Sequence, residues 1–222
     1  MFKRCAILAL VILLGIPSLA VADMNGFYVA PKFLMSIQNT GQINRSEALA
    51  GTGVNDYSQF TLGGALALGV DFWHNYSVPA RLEGEFSLRG NSEKSWSGNG
   101  AYQVKGVWNN STFFGNLYWD FRNDSQIVPY LGGGIGIALN YTGYDFKGPG
   151  ENFSKDARFT NFAWNLGGGV GWNLTESLTA DLAYRFMSLG YNEVKATDGN
   201  KDLKIGNAPY NNEFTLGLRF TF

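Results

Sequence analysis

The last ten residues of the chain alternate between apolar and polar or small side chains and end on an aromatic residue. Successive side chains of a β-strand point to opposite faces, so this alternation predicts a strand with one continuous apolar face. The residues on that face are Phe214, Leu216, Leu218, Phe220 and Phe222. Such a face contacts either a protein core or membrane lipid. The rest of the chain distinguishes between these two environments.

Seven further segments show the same period of two, so we predict eight strands. In chain order they are 27–37, 60–72, 78–89, a segment that ends at 121 with an indistinct start near 104–111, 130–141, 162–174, 178–186 and 213–222. A tilted strand needs about 9 to 11 residues to cross a membrane, and these segments are close to that length. Pro31 interrupts the first strand, and we expect a β-bulge there.

Connections of two lengths alternate along the chain. Compact polar turns follow the second, fourth and sixth strands, at 74–77, 122–128 and 175–177. Long loops rich in Gly, Asn and Ser follow the first, third, fifth and seventh, at 38–59, 90–103, 142–161 and 190–212. Short turns on one rim and long loops on the other are typical of outer-membrane barrels. We predict an all-β fold, an eight-stranded antiparallel up-and-down transmembrane β-barrel with short periplasmic turns and long extracellular loops.

The second face of these strands carries either small residues or charges. The charged residues are Lys32, Asp71, Arg81, Glu83, Glu85, Arg89, Asp120, Asp181, Arg185, Glu213 and Arg219. The interior of an eight-stranded barrel is just wide enough for side chains to fill. Because an unpaired charge out of water is costly, the near balance of five cations and six anions favours a buried network of ion pairs. We predict a lumen filled by this network without an open pore; a proton or ion path is the alternative.

Two glycine-rich segments, 132–136 and 167–171, resemble phosphate-binding loops only superficially. Both lie within predicted strands, and no helix N-terminus follows that could hold a phosphate. We interpret these glycines as clearance for bulky side chains inside the barrel.

The N-terminus has the three parts of a secretory signal peptide. A basic head, Met1–Arg4, precedes an apolar run, Cys5–Ile16, that is too short to span a membrane as a helix. Ala20 and Ala22 give the small-x-small pattern of a cleavage site. We predict a cleaved signal peptide at 1–22 and an outer-membrane barrel domain at 23–222, with an uncleaved anchor as the alternative. The barrel domain has no cysteine, so disulfides cannot stabilise it.

Few residues of this chain could support catalysis or bind a metal. Its one histidine, His74, falls in a short periplasmic turn, so no Ser-His pair can form at the outer rim. One histidine and no cysteine in the mature chain cannot supply a metal site of the His/Cys type. Asp198–Asp202 begins like a calcium loop but lacks the glycine and glutamate that complete one. We predict no enzyme activity and no cofactor, and the net charge of −1 without basic runs argues against nucleic acid as a partner.

Five segments distributed over the mature chain resemble a known family. They are Val78–Glu85, Asn116–Phe121, Pro129–Gly134, Ala183–Phe186 and Leu216–Phe222. They are similar to the OmpA/OmpX-type small outer-membrane β-barrels, which include opacity and surface-antigen relatives. The resemblance implies residence in the Gram-negative outer membrane and a C-terminal strand that the barrel-assembly machinery reads. No peptidoglycan-binding domain follows the last strand, so tethering of that kind is not expected.

Members of this family serve as adhesins, serum-resistance factors or structural proteins of the envelope. We therefore expect a structural and surface-interaction (adhesin-like) role. The expected partners are outer-membrane lipid, lipopolysaccharide, the assembly machinery and a host or cell-surface ligand of the long loops, with a monomeric barrel. The alternatives are a soluble secreted ligand-binding barrel, whose apolar face would point inward, and a small ion-conducting porin.

Overall fold

The computed structural model describes residues 26–45, 56–97, 103–147, 152–198 and 201–222. The predicted signal peptide, with Ala20 and Ala22, lies outside these ranges, as do residues 199–200 of the calcium-like segment. The elements are β1 Phe27–Asn39, β2 Ile43–Arg45, β3 Ser58–Asp71, α1 Trp73–Tyr76, β4 Ala80–Arg89, β5 Ser92–Ser97, β6 Gln103–Asp120, β7 Ile127–Lys147, β8 Asn152–Asn173, β9 Leu178–Ser188, β10 Asn192–Asp198, β11 Lys201–Asn207 and β12 Tyr210–Thr221.

Eight of these strands close into an antiparallel barrel. Their order around the wall is β4, β3, β1, β12, β9, β8, β7 and β6, and pairing of β4 with β6 completes the circle. Most neighbours are also consecutive barrel strands in the chain; the exception is the seam between β1 and β12, where the two ends of the chain meet. The predicted eight-stranded up-and-down barrel is confirmed.

The apolar faces of the strands point away from the barrel interior. Leu131, Ile135 and Leu166 are 59%, 65% and 65% exposed, whereas Glu85 and Glu213 are fully buried inside. A water-soluble barrel would have the reverse arrangement, because exposing a belt of large apolar side chains to water is unfavourable. The alternative of a soluble barrel with an apolar interior is therefore wrong.

Aromatic side chains lie at both ends of this apolar belt. Trp119, Phe121, Trp172 and Phe222 lie at the rim of the short turns, and Phe60, Phe162 and Trp164 at the rim of the long loops, all exposed. Two such girdles are typical of the membrane interfaces of outer-membrane barrels.

The described residues contain no helix that is both long and apolar enough to cross a membrane.

Much of the predicted long loops is strand. Strands β7 and β8 stay paired up to Lys147 and Asn152, far beyond the predicted ends at 141 and 162. Strand β5 pairs with the upper part of β6, and β10, β11 and β2 form a separate three-stranded sheet. We call this region the crown: β2, β5, β10, β11 and residues 103–110, 140–147 and 152–161 of β6, β7 and β8. The first short turn also differs from the prediction, since it contains the one-turn helix α1.

The bulge expected at Pro31 is wrong. Pro31 pairs with Leu66 of β3 in an uninterrupted register. On the other side the register to β12 is the same before and after the proline, although Ala30 and Pro31 have no paired partner there. Proline lacks an N–H donor, so the ladder loses pairing locally without the insertion of an extra residue.

Candidate functional site

Six charged side chains form a continuous chain of alternating sign through the middle of the lumen. Lys32 Nζ lies 2.6 Å from Glu83 Oε1 and 2.7 Å from Glu85 Oε2. Arg185 Nη2 then connects Glu85 Oε1, at 2.7 Å, to Glu213 Oε1, at 2.6 Å. At the upper end Arg89 Nε donates to Glu213 Oε2 at 2.6 Å. Strands β1, β4, β9 and β12 contribute these residues, so the network connects opposite walls of the barrel.

A second group fills the lumen towards the short turns. Arg81 Nε donates to both carboxylate oxygens of Asp120 at 3.0 Å. The Arg81 guanidinium also lies over the rings of Tyr118 and Tyr130, 4.9 and 4.7 Å from their centroids. Cation–π contacts of this kind partly offset the free energy that a cation loses when it is removed from water. Nearby, Arg219 Nε lies 3.5 Å from Asp181 Oδ2.

One charged lumen residue was missed by the sequence prediction. Arg122, assigned to a turn, donates from Nη2 to Asp71 Oδ2 at 2.5 Å and lies 3.5 Å from Asp120 Oδ2. Its position continues the period of two from Asp120, with Phe121 pointing outward between them. Arg122 is the sixth cation and balances the six anions of the predicted set. The structure places all eleven predicted charged residues on the inward side of the wall, and each contacts an oppositely charged partner.

Neutral carboxamides lie above the charged network. Asn211 Nδ2 donates to Asn110 Oδ1 at 3.0 Å, and Asn110 Nδ2 donates to Gln38 Oε1 at 2.8 Å. Gln38 Nε2 in turn donates to Thr61 Oγ1 at 2.7 Å. Arg89 Nη1 reaches Asn110 Oδ1 at 3.3 Å, so this amide layer is joined to the ion pairs below it.

Glycines on the inner wall give the large lumen side chains room. A Cβ atom on Gly132 would lie 2.3 Å from Tyr118 Cδ1, and one on Gly169 would lie 2.8 Å from Tyr130 Cζ. Real Cβ atoms do not approach other atoms so closely, so alanine does not fit there without displacement. The predicted role of these glycine-rich segments as interior clearance is confirmed at both positions.

Small cavities lie among these side chains. The lower one, lined by Lys32, Arg81 and Glu85 among others, has a volume of about 30 Å³, and the one in the amide layer about 20 Å³. A cavity needs roughly 10–15 Å³ to hold one water molecule, so these cavities hold only about one to three each.

The crown has a hydrophobic core of its own, outside the barrel. Trp108 lies at its centre, with ring centroids 5.6 Å from Trp96, 5.7 Å from Tyr144 and 5.8 Å from Tyr57. The contacts with Trp96 and Tyr144 are edge-to-face, and Ile205 of the separate sheet joins the cluster. Burial raises the pKa of the Tyr144 hydroxyl to about 12. Packing of this kind orders the crown above the membrane.

The C-terminal strand has the predicted orientation. Phe214, Leu216, Leu218, Phe220 and Phe222 all point outward and are exposed. Their role as an assembly signal stays a prediction. Within the described ranges no cluster of three or more His, Cys, Asp or Glu side chains is arranged to hold a metal ion.

The chain is similar to known outer-membrane proteins over nearly its whole length. The family model of the outer membrane protein beta-barrel domain matches residues 6–222. The chain is 26% identical over 223 residues to the outer membrane protein PagN of Salmonella typhimurium, covering 92% of this chain and 93% of PagN. Among solved structures it is similar to the outer membrane protein OprG of Pseudomonas aeruginosa, with a TM-score of 0.54 and 15% identity over 89% of this chain and 97% of OprG.

The likeness to OprG supports the fold, and the family match extends over nearly the whole chain. The outward apolar belt and its two aromatic girdles fit the same environment. This chain therefore belongs to the family of outer membrane protein β-barrel domains and resides in the outer membrane.

Proposed function

We propose that this barrel is a structural and surface-interaction protein whose crown presents an adhesin-like surface to other cells. The observation that carries the proposal is the aromatic core of the crown, in which Trp96, Trp108 and Tyr144 order strands that lie above the membrane. A barrel needs only short connections to close, so a crown with its own core suits a task outside the membrane. Its exposed surface is available to a host or cell-surface ligand.

The lumen, in the same proposal, is a closed structural network and carries neither transport nor catalysis. Support comes from six cations that face six anions, the carboxamide layer above them and cavities of only a few water molecules. The barrel acts as a monomer that contacts outer-membrane lipid and lipopolysaccharide, and the assembly machinery inserts it through its C-terminal strand.

The test is to shorten the crown without disturbing the barrel. Residues 142–157 would be replaced by a two-residue turn between Tyr141 and Arg158, which pair directly across β7 and β8. A second variant would replace residues 192–207, the hairpin of β10 and β11. We expect at least one variant to lose binding to cultured host cells or serum survival, while its amount in the outer membrane and the integrity of the envelope stay unchanged.

Two results would contradict the proposal. If both shortened variants bind host cells and survive serum like the intact protein, the crown has no adhesin-like role. If the purified protein gives a stable, ion-selective conductance in planar bilayers that Arg81→Ala abolishes, the lumen is a pore and the alternative of a small porin holds.

A further inference from the structure

Strand β8 has an open edge above the membrane. It pairs with β7 from Asn152 to Trp172, but with β9 only from Trp164 onward. Around Asn161 the chain at Leu189 and Tyr191 covers the edge, since their carbonyl oxygens accept from Asn161 Nδ2 at 3.3 and 3.1 Å. In the part of the chain that the structure describes, no strand pairs with residues 152–160 on this side. Unpaired backbone groups on an edge of this length are a template for another strand.

The side chains along this edge carry complementary charges two residues apart. Asp156 and Arg158 are both exposed and point to the same side of the strand. Their neighbours on β7 are Gly143 and Tyr141. Neither Asp156 nor Arg158 makes an ion pair with another described residue. Charges on an edge normally discourage pairing with other strands, but a matching arrangement of opposite charges selects a partner.

We propose that the partner of this edge is the same edge of a second copy of the chain, paired antiparallel about Ala157. In this register Asp156 of each copy lies opposite Arg158 of the other. Ser154 lies opposite Thr160, and Lys155 opposite Phe159, so no like charges oppose each other among residues 154–160. Shifting the partner strand by two residues in one direction would place Asp156 opposite Asp156. The same shift in the other direction would place Arg158 opposite Arg158. Since like charges directly opposite each other are destabilising, the charges select the register centred on Ala157.

Symmetry places the two copies in membranes that face each other. Two copies in one membrane are related by an axis along the membrane normal, so strands tilted by about 35–45° would cross at roughly 70–90° instead of running antiparallel. Two copies in facing membranes are related by an axis in the membrane plane, which reverses the strand direction. Each barrel therefore stays a monomer in its own membrane. This inference rests on the proposed surface-interaction function and names its partner.

The test uses the purified full-length barrel in phospholipid vesicles, with clustering followed by turbidity and light scattering. The intact protein is expected to cluster vesicles, and Asp156→Arg or Arg158→Asp to slow clustering roughly tenfold or more, because each change puts two pairs of like charges in opposition. The double variant Asp156→Arg/Arg158→Asp restores both opposite-charge pairs and should cluster vesicles like the intact protein. Lys94→Glu, an equal charge change on β5 away from the edge, should leave clustering unchanged.

Cross-linking tests the register directly. The predicted mature chain has no cysteine, so Ala157→Cys introduces a single thiol. Opposed Cα atoms in an antiparallel pair lie about 4.5–5.5 Å apart, within the range of a disulfide. Oxidation of clustered vesicles should therefore link two copies. Thr160→Cys is the matched control: its two copies would lie about 20 Å apart along the strands, so it should not link.

Three results would overturn the inference: absence of clustering by the intact protein, clustering that survives Asp156→Arg, or failure of the double variant to recover. Equal cross-linking at positions 157 and 160 would overturn the register. These outcomes are separable from the proposed function. If vesicles do not cluster while the intact crown still binds host cells, the self-pairing is wrong and the surface role stands. If crown shortening leaves host-cell binding and serum survival unchanged while the charge swap governs clustering, the host-directed adhesin role is wrong and the self-pairing stands.

Discussion

Glu213 joins two arginines at the upper end of the lumen network. It is fully buried and accepts from Arg89 Nε and Arg185 Nη2, each at 2.6 Å. Glu213→Ala would leave two buried guanidinium groups with one carboxylate fewer. Removal of one partner from a buried ion pair typically costs about 3–5 kcal/mol. We expect a loss of that size in the free energy of unfolding by urea, measured in detergent micelles.

Lys105→Ala provides the comparison for this prediction. Lys105 Nζ lies 2.8 Å from Glu93 Oε2 on the crown, but both side chains are 47% exposed. Exposed ion pairs contribute little, so this variant should unfold like the intact protein. If Glu213→Ala were as stable as Lys105→Ala, the lumen ion pairs would have no structural importance.

The lumen also shows what the sequence can reveal about single residues. The period of two identified which charges point inward, because that depends only on strand geometry. It did not identify Arg122, since the predicted strand ended one residue earlier and the following residues were assigned to a turn. Nor did it show that Arg89 meets Glu213: these residues belong to β4 and β12, which are not neighbours in the wall. Such contacts depend on the barrel diameter and on how far each side chain reaches across it.

At the level of strands, the membrane-spanning parts were predictable and the crown was not. A spanning strand alternates large apolar and polar residues because one side contacts lipid. In the crown the buried core has few large apolar side chains, such as Trp96, Val104 and Trp108, and glycine, asparagine and serine lie between them. The sequence pattern of such a segment does not differ from that of a loop, and only its partner strand identifies it as a strand. The sequence therefore predicted loops where the structure has paired strands.

Glycines on the two sides of the wall should respond differently to alanine. A Cβ on Gly167, which faces the lumen, would lie 2.7 Å from Arg185 Cβ and 2.4 Å from the backbone oxygen of Tyr184. Gly167→Ala must displace these atoms, and we expect a cost of about 1–3 kcal/mol in the free energy of unfolding. Gly84 points outward, where the nearest atom would be 4.0 Å away. Gly84→Ala should be neutral or slightly stabilising.

Urea titration of both alanine variants under the same conditions would measure this difference. Equal stability of the two variants would contradict the role of the inward glycines as clearance, because only Gly167 has neighbours that a Cβ displaces.

The whole molecule closes at the seam between β1 and β12. A barrel in lipid cannot leave a strand edge unpaired, so this seam determines whether the fold is complete. The ladder from Tyr28 opposite Thr221 to Asn39 opposite Tyr210 keeps one register along its length. At its lower end, the Phe222 N–H donates to Phe27 O at 2.8 Å, and the Gly26 N–H donates to Phe222 O at 3.1 Å. The backbone of the terminal residue therefore belongs to the seam.

The side chain of Phe222 contributes little to the finished seam, since it is 56% exposed and points towards lipid. We therefore expect Phe222→Ala to slow assembly in cells while the purified, refolded barrel keeps its stability. Pulse-chase labelling would measure assembly through the gel-mobility shift between folded and heated protein. Phe121→Ala is the matched control, because Phe121 is an aromatic of similar exposure at the same rim but lies in an internal turn. If both variants assembled at the same rate as the intact protein, the C-terminal aromatic would not be an assembly signal.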